Sequence, residues 1–182
     1  MKYKKGKLSI MLIMTYDCNC DCKYCFEDLD SGLKEKGDWN QVTNYIIKQY
    51  KTGYEELELS FFGGEPILEV DKMILIYNQL IQNDINVKSV VITNGVLLTS
   101  NNIKKLARAG IKNYQITLDG PKEIHDSRRP CKNGESSWDA IIKNINILEE
   151  NGCAISIRIN IDSTNVNYLP EICSCLPNTF YD

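Results

Sequence analysis

Four cysteines crowd into eight residues, Cys18-Asn-Cys20-Asp-Cys22-Lys-Tyr24-Cys25, directly behind the apolar run Leu8 to Met14. Within them lies the spacing Cys-x3-Cys-x2-Cys. Soft thiolates at such short separation suit zinc or an iron–sulfur cluster. A zinc site would need Cys20 as its fourth ligand, yet zinc sites usually draw on two separated pairs, and four thiolates here are cramped. The single histidine, His125, lies far off in sequence. A four-iron cube on Cys18, Cys22 and Cys25 leaves one iron open, free to chelate the amino and carboxylate groups of a methionine-derived ligand.

The other cysteines, Cys131, Cys153, Cys173 and Cys175, are scattered. A disulfide framework would belong to a short secreted chain, and this one shows no export signal. Lys2, Lys4, Lys5 and Lys7 do lead into Leu8 to Met14. That stretch sits at the lower limit for a signal h-region, lacks a small-residue cleavage site and is far too short to span a membrane. A cytoplasmic protein, not a membrane one, is the expectation. Lys plus Arg number 21 against 24 Asp plus Glu, so there is no electrostatic footprint for nucleic acid.

Strand and helix patterns alternate along the chain. Leu8 to Met14 reads as a first strand covered on both faces. Asp38 and Gln41 form a capping box ahead of Trp39, Val42, Ile46 and Tyr50 at helical spacing. A strand through Leu57, Leu59 and Phe61 precedes a helix with Met73, Tyr77, Leu80 and Ile81. A strand at Val90 to Ile92 precedes a short helix ending at Gly110, a natural C′ residue. Tyr114, Ile116 and Leu118 alternate as a fourth strand. Ser136 or Ser137 caps the next helix, which stops at Gly152, and a fifth strand covers Ala154 to Ile161. Thr164 then caps a last helix containing Val166, Leu169, Ile172 and Leu176. Five β–α units imply a parallel sheet with right-handed crossovers. The isoleucines of the fifth strand are expected to face the helices, with Ser156, Arg158 and Asn160 turned inward.

Two further motifs stand at strand ends. Phe62-Gly63-Gly64-Glu65-Pro66 offers glycines for close backbone approach to a ligand and a carboxylate for an ammonium group; alone, it is also an ordinary turn. Thr117-Leu118-Asp119-Gly120-Pro121 carries a turn signal and continues to His125, Asp126, Arg128 and Arg129, which also reads as a polar loop.

Together, in this order, the three motifs resemble the radical S-adenosylmethionine superfamily. The branch is that of peptide-modifying and anaerobic sulfatase-maturing enzymes with a C-terminal SPASM domain. The resemblance runs from about Leu8 to Leu176. It implies an α/β fold: a partial (β/α) TIM-like barrel with five β–α units present. Residues 1–182 would be the core domain, C-terminally incomplete, with the sixth strand and the SPASM domain missing. Cys18, Cys22 and Cys25 would ligate a 4Fe–4S cluster, and Tyr24 would lie beside the adenine of S-adenosylmethionine. Gly63, Gly64 and Glu65 would receive its amino group, Thr117 its ribose and Arg129 its carboxylate. Asn94 and Asn160 would stand around it at strand ends. Cys20 has no family role, and Arg128→Lys is expected to be tolerated where Arg129→Lys is not.

The implied reaction is reductive cleavage of S-adenosylmethionine to a 5′-deoxyadenosyl radical that takes hydrogen from a peptide or protein. Thioether formation is favoured over formylglycine formation, and an inactive fragment or binding module of the same fold is the other alternative. An external flavodoxin- or ferredoxin-type donor would supply the electron. The resemblance identifies no general base, so the catalytic residues are left unassigned.

Overall fold

The computed structural model describes residues 5–27 and 37–176. Lys2 and Lys4 of the leader and the side chains of Cys173 and Cys175 lie outside the described residues. The elements run β1 (Lys7–Ile13), α1 (Trp39–Tyr50), β2 (Glu56–Phe62), a 3-10 turn (Pro66–Glu69), α2 (Val70–Gln82), β3 (Val87–Thr93) and α3 (Ser100–Ala109). They continue through β4 (Asn113–Thr117), α4 (Lys122–Arg128), α5 (Ser137–Glu150), β5 (Ala154–Arg158), a second 3-10 turn (Val166–Tyr168) and α6 (Leu169–Cys175). The strands form one sheet in sequence order, every neighbouring pair parallel. This is the α/β partial barrel that the sequence implies.

Alternation along each strand decides what faces the helices. In β2, Leu57, Leu59 and Phe61 are fully buried, while Glu56, Glu58, Ser60 and Phe62 on the other face are half-buried. The buried row belongs to a core with Met73, Ile76 and Leu80 of α2. Each such side chain contributes roughly 1.5–3 kcal/mol of transfer free energy. In β5, Ile155 and Ile157 pack on that core while Ser156 and Arg158 are exposed, the expected orientation.

Helix ends follow local chemistry. The Asp38 carboxylate accepts from the N–H groups of Asn40 and Gln41 at 3.0 and 3.2 Å, and α3 closes on Gly110 at φ 98°. Ser136, not Ser137, caps α5, accepting from the Asp139 N–H at 3.1 Å. Ser137 instead sits 2.9 Å from Asp126 Oδ1 and 2.8 Å from the Arg129 carbonyl.

Three expectations are corrected. The segment after Gly120-Pro121 is not a loop but α4, with Pro121 as its N-cap, where proline costs no hydrogen bond. The fifth strand ends at Arg158 rather than Ile161, because the Asn160 N–H leaves the ladder for Asp119 Oδ1 at 2.9 Å. Thr164 caps no helix. Its hydroxyl donates to Asp162 and accepts from Arg128, and the chain makes a 3-10 turn before α6. Among the described residues no helix is long and apolar enough to cross a membrane.

Candidate functional site

The loop after β1 is seated by main-chain bonds onto the strand end of β2. Met14 N–H donates to the Phe62 carbonyl at 2.8 Å, Gly64 N–H to Thr15 at 2.8 Å and Glu65 N–H to Asp17 at 2.9 Å. A Cβ on Gly63 would lie 2.3 Å from the Thr15 carbonyl oxygen, and one on Gly64 would lie 2.5 Å from that of Asp17. Gly63 also has φ 127°. The sequence reading gives these glycines to a ligand; the structure shows that they first make room for the cysteine loop itself.

Cys18, Cys22 and Cys25 line one pocket with Tyr24, Gly63, Gly64, Asn94, Thr117, Arg129 and Asn160. Every strand end contributes. Hydrogen bonding from the Cys20 thiol, joined by its N–H and the Asn94 amide, lowers Cys18 to about 6. Burial pushes Cys22 up to about 11. Cys20 lines the same pocket, but it is buried, its thiol shifted far up, and its sulfur lies 3.9 Å from Cys131 Sγ.

Glu65 departs from its assignment. Its carboxylate is fully buried and does not line the pocket. Oε1 accepts from the Ile67 N–H at 3.0 Å and the Thr93 hydroxyl at 2.7 Å, and Oε2 from the Asn94 N–H at 2.8 Å. The side chain therefore fixes the end of β3 and does not face a ligand ammonium group. Asn94, so held, reaches Asn19 Oδ1 at 2.8 Å and Cys18 Sγ at 3.7 Å.

Tyr24 is the node on the opposite wall. Its hydroxyl donates to Asp119 and accepts from Arg129 Nη1 and from Asn160 Nδ2, the last at 3.0 Å. Burial raises it to about 12, so it stays a donor. Asp119 is fully buried and also takes the Asn160 N–H, while its own N–H donates to His125 Nδ1 at 3.1 Å. Burial lowers His125 to about 3, leaving it neutral. The sequence reading places Asp119 at the end of the fourth strand, on the inward polar face with Gln115 and Thr117, but assigns it no contact. It also leaves out Phe26, stacked 6.3 Å from Phe62 at the pocket, whereas Arg158, expected to turn inward, lines the pocket.

Arg128, whose replacement by lysine is the expected control for Arg129→Lys, is tied into the fold. It is 7% exposed. Nη1 grips both Asp162 oxygens at 2.9 and 2.8 Å, Nη2 donates to the Asn160 carbonyl at 3.1 Å, and the guanidinium lies 5.0 Å from the Tyr24 ring centroid. Arg128→Ala is therefore expected to lower unfolding free energy by about 2–4 kcal/mol, read by urea denaturation. A loss under about 0.5 kcal/mol, as at an ordinary surface site, would mean these contacts are idle.

Arg129 is different. It is 8% exposed and, unlike Arg128, lines the pocket; Nε of both arginines is buried without a hydrogen-bond partner among the described residues, but that of Arg128 lies 3.8 Å from Asp119 Oδ2. An orphaned guanidinium edge beside the thiols fits an incoming carboxylate. Among the described residues no three Cys, His, Asp or Glu side chains are grouped to hold a metal ion. A single zinc needs all its donors within about 2.3 Å of one point. Three thiols lining one pocket are the donor set a multi-iron cluster takes, each on its own iron.

Comparison with known proteins agrees. The chain is 28% identical over 176 residues to the radical SAM cyclopropyl synthase TigE of Paramaledivibacter caminithermalis, covering 88% of this chain and 36% of that protein. It is 25% identical over 140 residues to the serine-type anaerobic sulfatase-maturating enzyme of Klebsiella aerogenes, covering 73% of this chain and 34% of that one. Both relatives are SPASM-type enzymes, and the chain spans little more than a third of either. The solved structure of native anSMEcpe with bound AdoMet and Kp18Cys peptide superposes with a TM-score of 0.73 at 20% identity, covering 92% of this chain and 49% of that one. Residues 12–173 match the Radical SAM superfamily, whose members use a 4Fe–4S cluster and S-adenosylmethionine. This chain belongs to that superfamily.

Proposed function

We propose that the chain is the S-adenosylmethionine-cleaving core of an enzyme that takes hydrogen from a peptide or protein side chain. The observation that carries the reading is the single pocket holding Cys18, Cys22 and Cys25 together with the orphaned edge of Arg129. Cys18, Cys22 and Cys25 hold the 4Fe–4S cluster. Arg129 takes the methionine carboxylate through its free edge, and Gly63 and Gly64 receive the amino end. Thr117 and Asn160 stand at the ribose side, and Tyr24 flanks the adenine. Asn94 braces the cysteine loop, and Glu65 acts through Asn94 and Thr93 rather than on the ligand. Together the two cofactors supply hydrogen abstraction at an unactivated carbon, while the protein orients them and keeps water out.

A peptide substrate is supported by the peptide held in the anSMEcpe structure, and thioether formation on a precursor peptide is the leading reaction. Formylglycine formation is the second reading, favoured by the Klebsiella relative. An external flavodoxin or ferredoxin provides the electron.

Anaerobic reconstitution followed by measurement of 5′-deoxyadenosine tests the core reaction, with and without candidate peptides. Arg129→Lys is expected to weaken S-adenosylmethionine binding about tenfold or more while the cluster spectrum stays unchanged, because lysine lacks the planar fork. Equal affinity in a titration removes Arg129 from the pocket chemistry. A cluster-loaded, reduced chain that forms no 5′-deoxyadenosine overturns the whole reading.

A further inference from the structure

We propose that Cys20 and Cys131 form a redox-active dithiol, whose closure to a disulfide staples the cysteine loop to the segment that follows α4. The two residues face each other in an isolated antiparallel bridge. That bridge is framed by the Asp21 N–H donating to the Pro130 carbonyl and the Lys132 N–H donating to the Asn19 carbonyl, both at 2.9 Å. The bonds fall on the flanking residues, so Cys20 and Cys131 are the pair that exchanges none. In such pairs the Cα atoms approach to about 4.5 Å, inside the range of about 4.4–6.8 Å that a disulfide spans. The sulfurs already lie 3.9 Å apart. Neither belongs to the Cys18, Cys22, Cys25 set, so the bridge can close without taking a thiol from the cluster.

Cys131 is 8% exposed and Cys20 1%, which makes Cys131 the point of entry. Its thiolate attacks a small disulfide, forming a mixed disulfide and releasing one small thiol. Cys20 then attacks the Cys131 sulfur, its thiol proton passing to the departing small thiolate, and the second small thiol is released. Two protein thiols lose two electrons and two protons, and the small disulfide is reduced to two thiols. The new bond spans positions 111 residues apart in sequence and constrains the unfolded chain strongly. It fixes the segment after α4, next to Arg129, against the loop bearing Cys22 and Tyr24. It also retires the one extra thiol that neighbours Cys18, so that Cys20 cannot displace a ligand when the cluster is lost.

The test uses the cluster-loaded full chain, kept anaerobic and incubated with oxidised glutathione, then quenched with acid and N-ethylmaleimide for peptide mapping. The expected result is a Cys20–Cys131 linkage, the loss of two titratable thiols and a thermal midpoint higher by roughly 5 °C or more. Dithiothreitol reverses all three. The cluster absorption is unchanged, and Cys153→Ser behaves as the parent chain does. Cys20→Ser and Cys131→Ser each abolish the shift. Recovery of both residues as maleimide adducts would overturn the proposal, as would a midpoint shift that survives in Cys131→Ser. Cluster loss in proportion to the linkage would do so too, because it would make the pair ligands.

Discussion

Replacing Cys18, Cys22 or Cys25 by alanine is expected to abolish the cluster, and replacing Cys20 is expected to leave it intact. The three proposed ligands and Cys20 are chemically identical, nearly adjacent and line the same pocket, so what separates them is the partner that holds Cys20. Cys18, Cys22 and Cys25 surround a pocket walled by Gly63, Gly64 and Arg129. The Cys20 sulfur is buried in contact distance of Cys131, and the loop is pinned in that register by the Asp21 and Lys132 bonds. Losing one of three protein ligands opens a second iron to solvent, and the expected iron content falls from about four per chain to near zero. Cys20→Ala removes one sulfur from a packed site, at a cost of about 1 kcal/mol in stability. Iron and sulfide analysis with EPR of the reduced protein reads the series. Stoichiometric zinc without a cluster signal, or cluster loss in Cys20→Ala, would overturn this ligand set.

Much of the scaffold is readable because local pattern and tertiary fate coincide. Leu57, Leu59 and Phe61 alternate in sequence and are all fully buried. Asp38 caps α1, and Gly110 ends α3 with the positive φ that its position suggests. The cysteine spacing and the motifs at strand ends are legible for the same reason, since parallel β–α units bring successive strand ends to one rim.

Where the reading fails, distant residues decide the outcome. Glu65 follows a Gly-Gly turn and looks available, yet three donors from Ile67, Thr93 and Asn94 capture it. Arg128 and Arg129 are neighbours of one type. Only the fold shows that the first is committed to Asp162 and Asn160 and that the second lines the pocket. Strand β5 stops early because Asp119 takes the next amide. Cys20 and Cys131 carry no mutual signal in sequence, being 111 residues apart.

Those captured donors make Glu65 the most sensitive side chain away from the thiols. Glu65→Leu keeps approximate size but strands the Ile67 and Asn94 N–H groups and the Thr93 hydroxyl in a fully buried site. Each orphan costs about 1–3 kcal/mol, so the expected loss is about 4 kcal/mol or more, a large part of a domain's stability. Asn94 then loosens from Cys18, and reconstituted cluster yield falls with it. Glu65→Gln keeps one acceptor oxygen and turns an NH2 toward a donor, costing about 1–3 kcal/mol at pH 5. Burial pushes the Glu65 carboxyl up from 4.5 to about 7. The folded state therefore binds its proton more tightly than the unfolded one. Its contribution is full below about 4.5 and is lost as pH rises through about 7. The stability gap between the parent chain and Glu65→Gln is expected to be widest at pH 5 and to narrow by pH 8, measured by urea denaturation at both. A gap that widens with pH would mean that the three donors outweigh burial and hold Glu65 ionised. A Glu65→Leu chain as stable as the parent would return the carboxylate to the pocket and restore the ammonium contact that the structure takes from it.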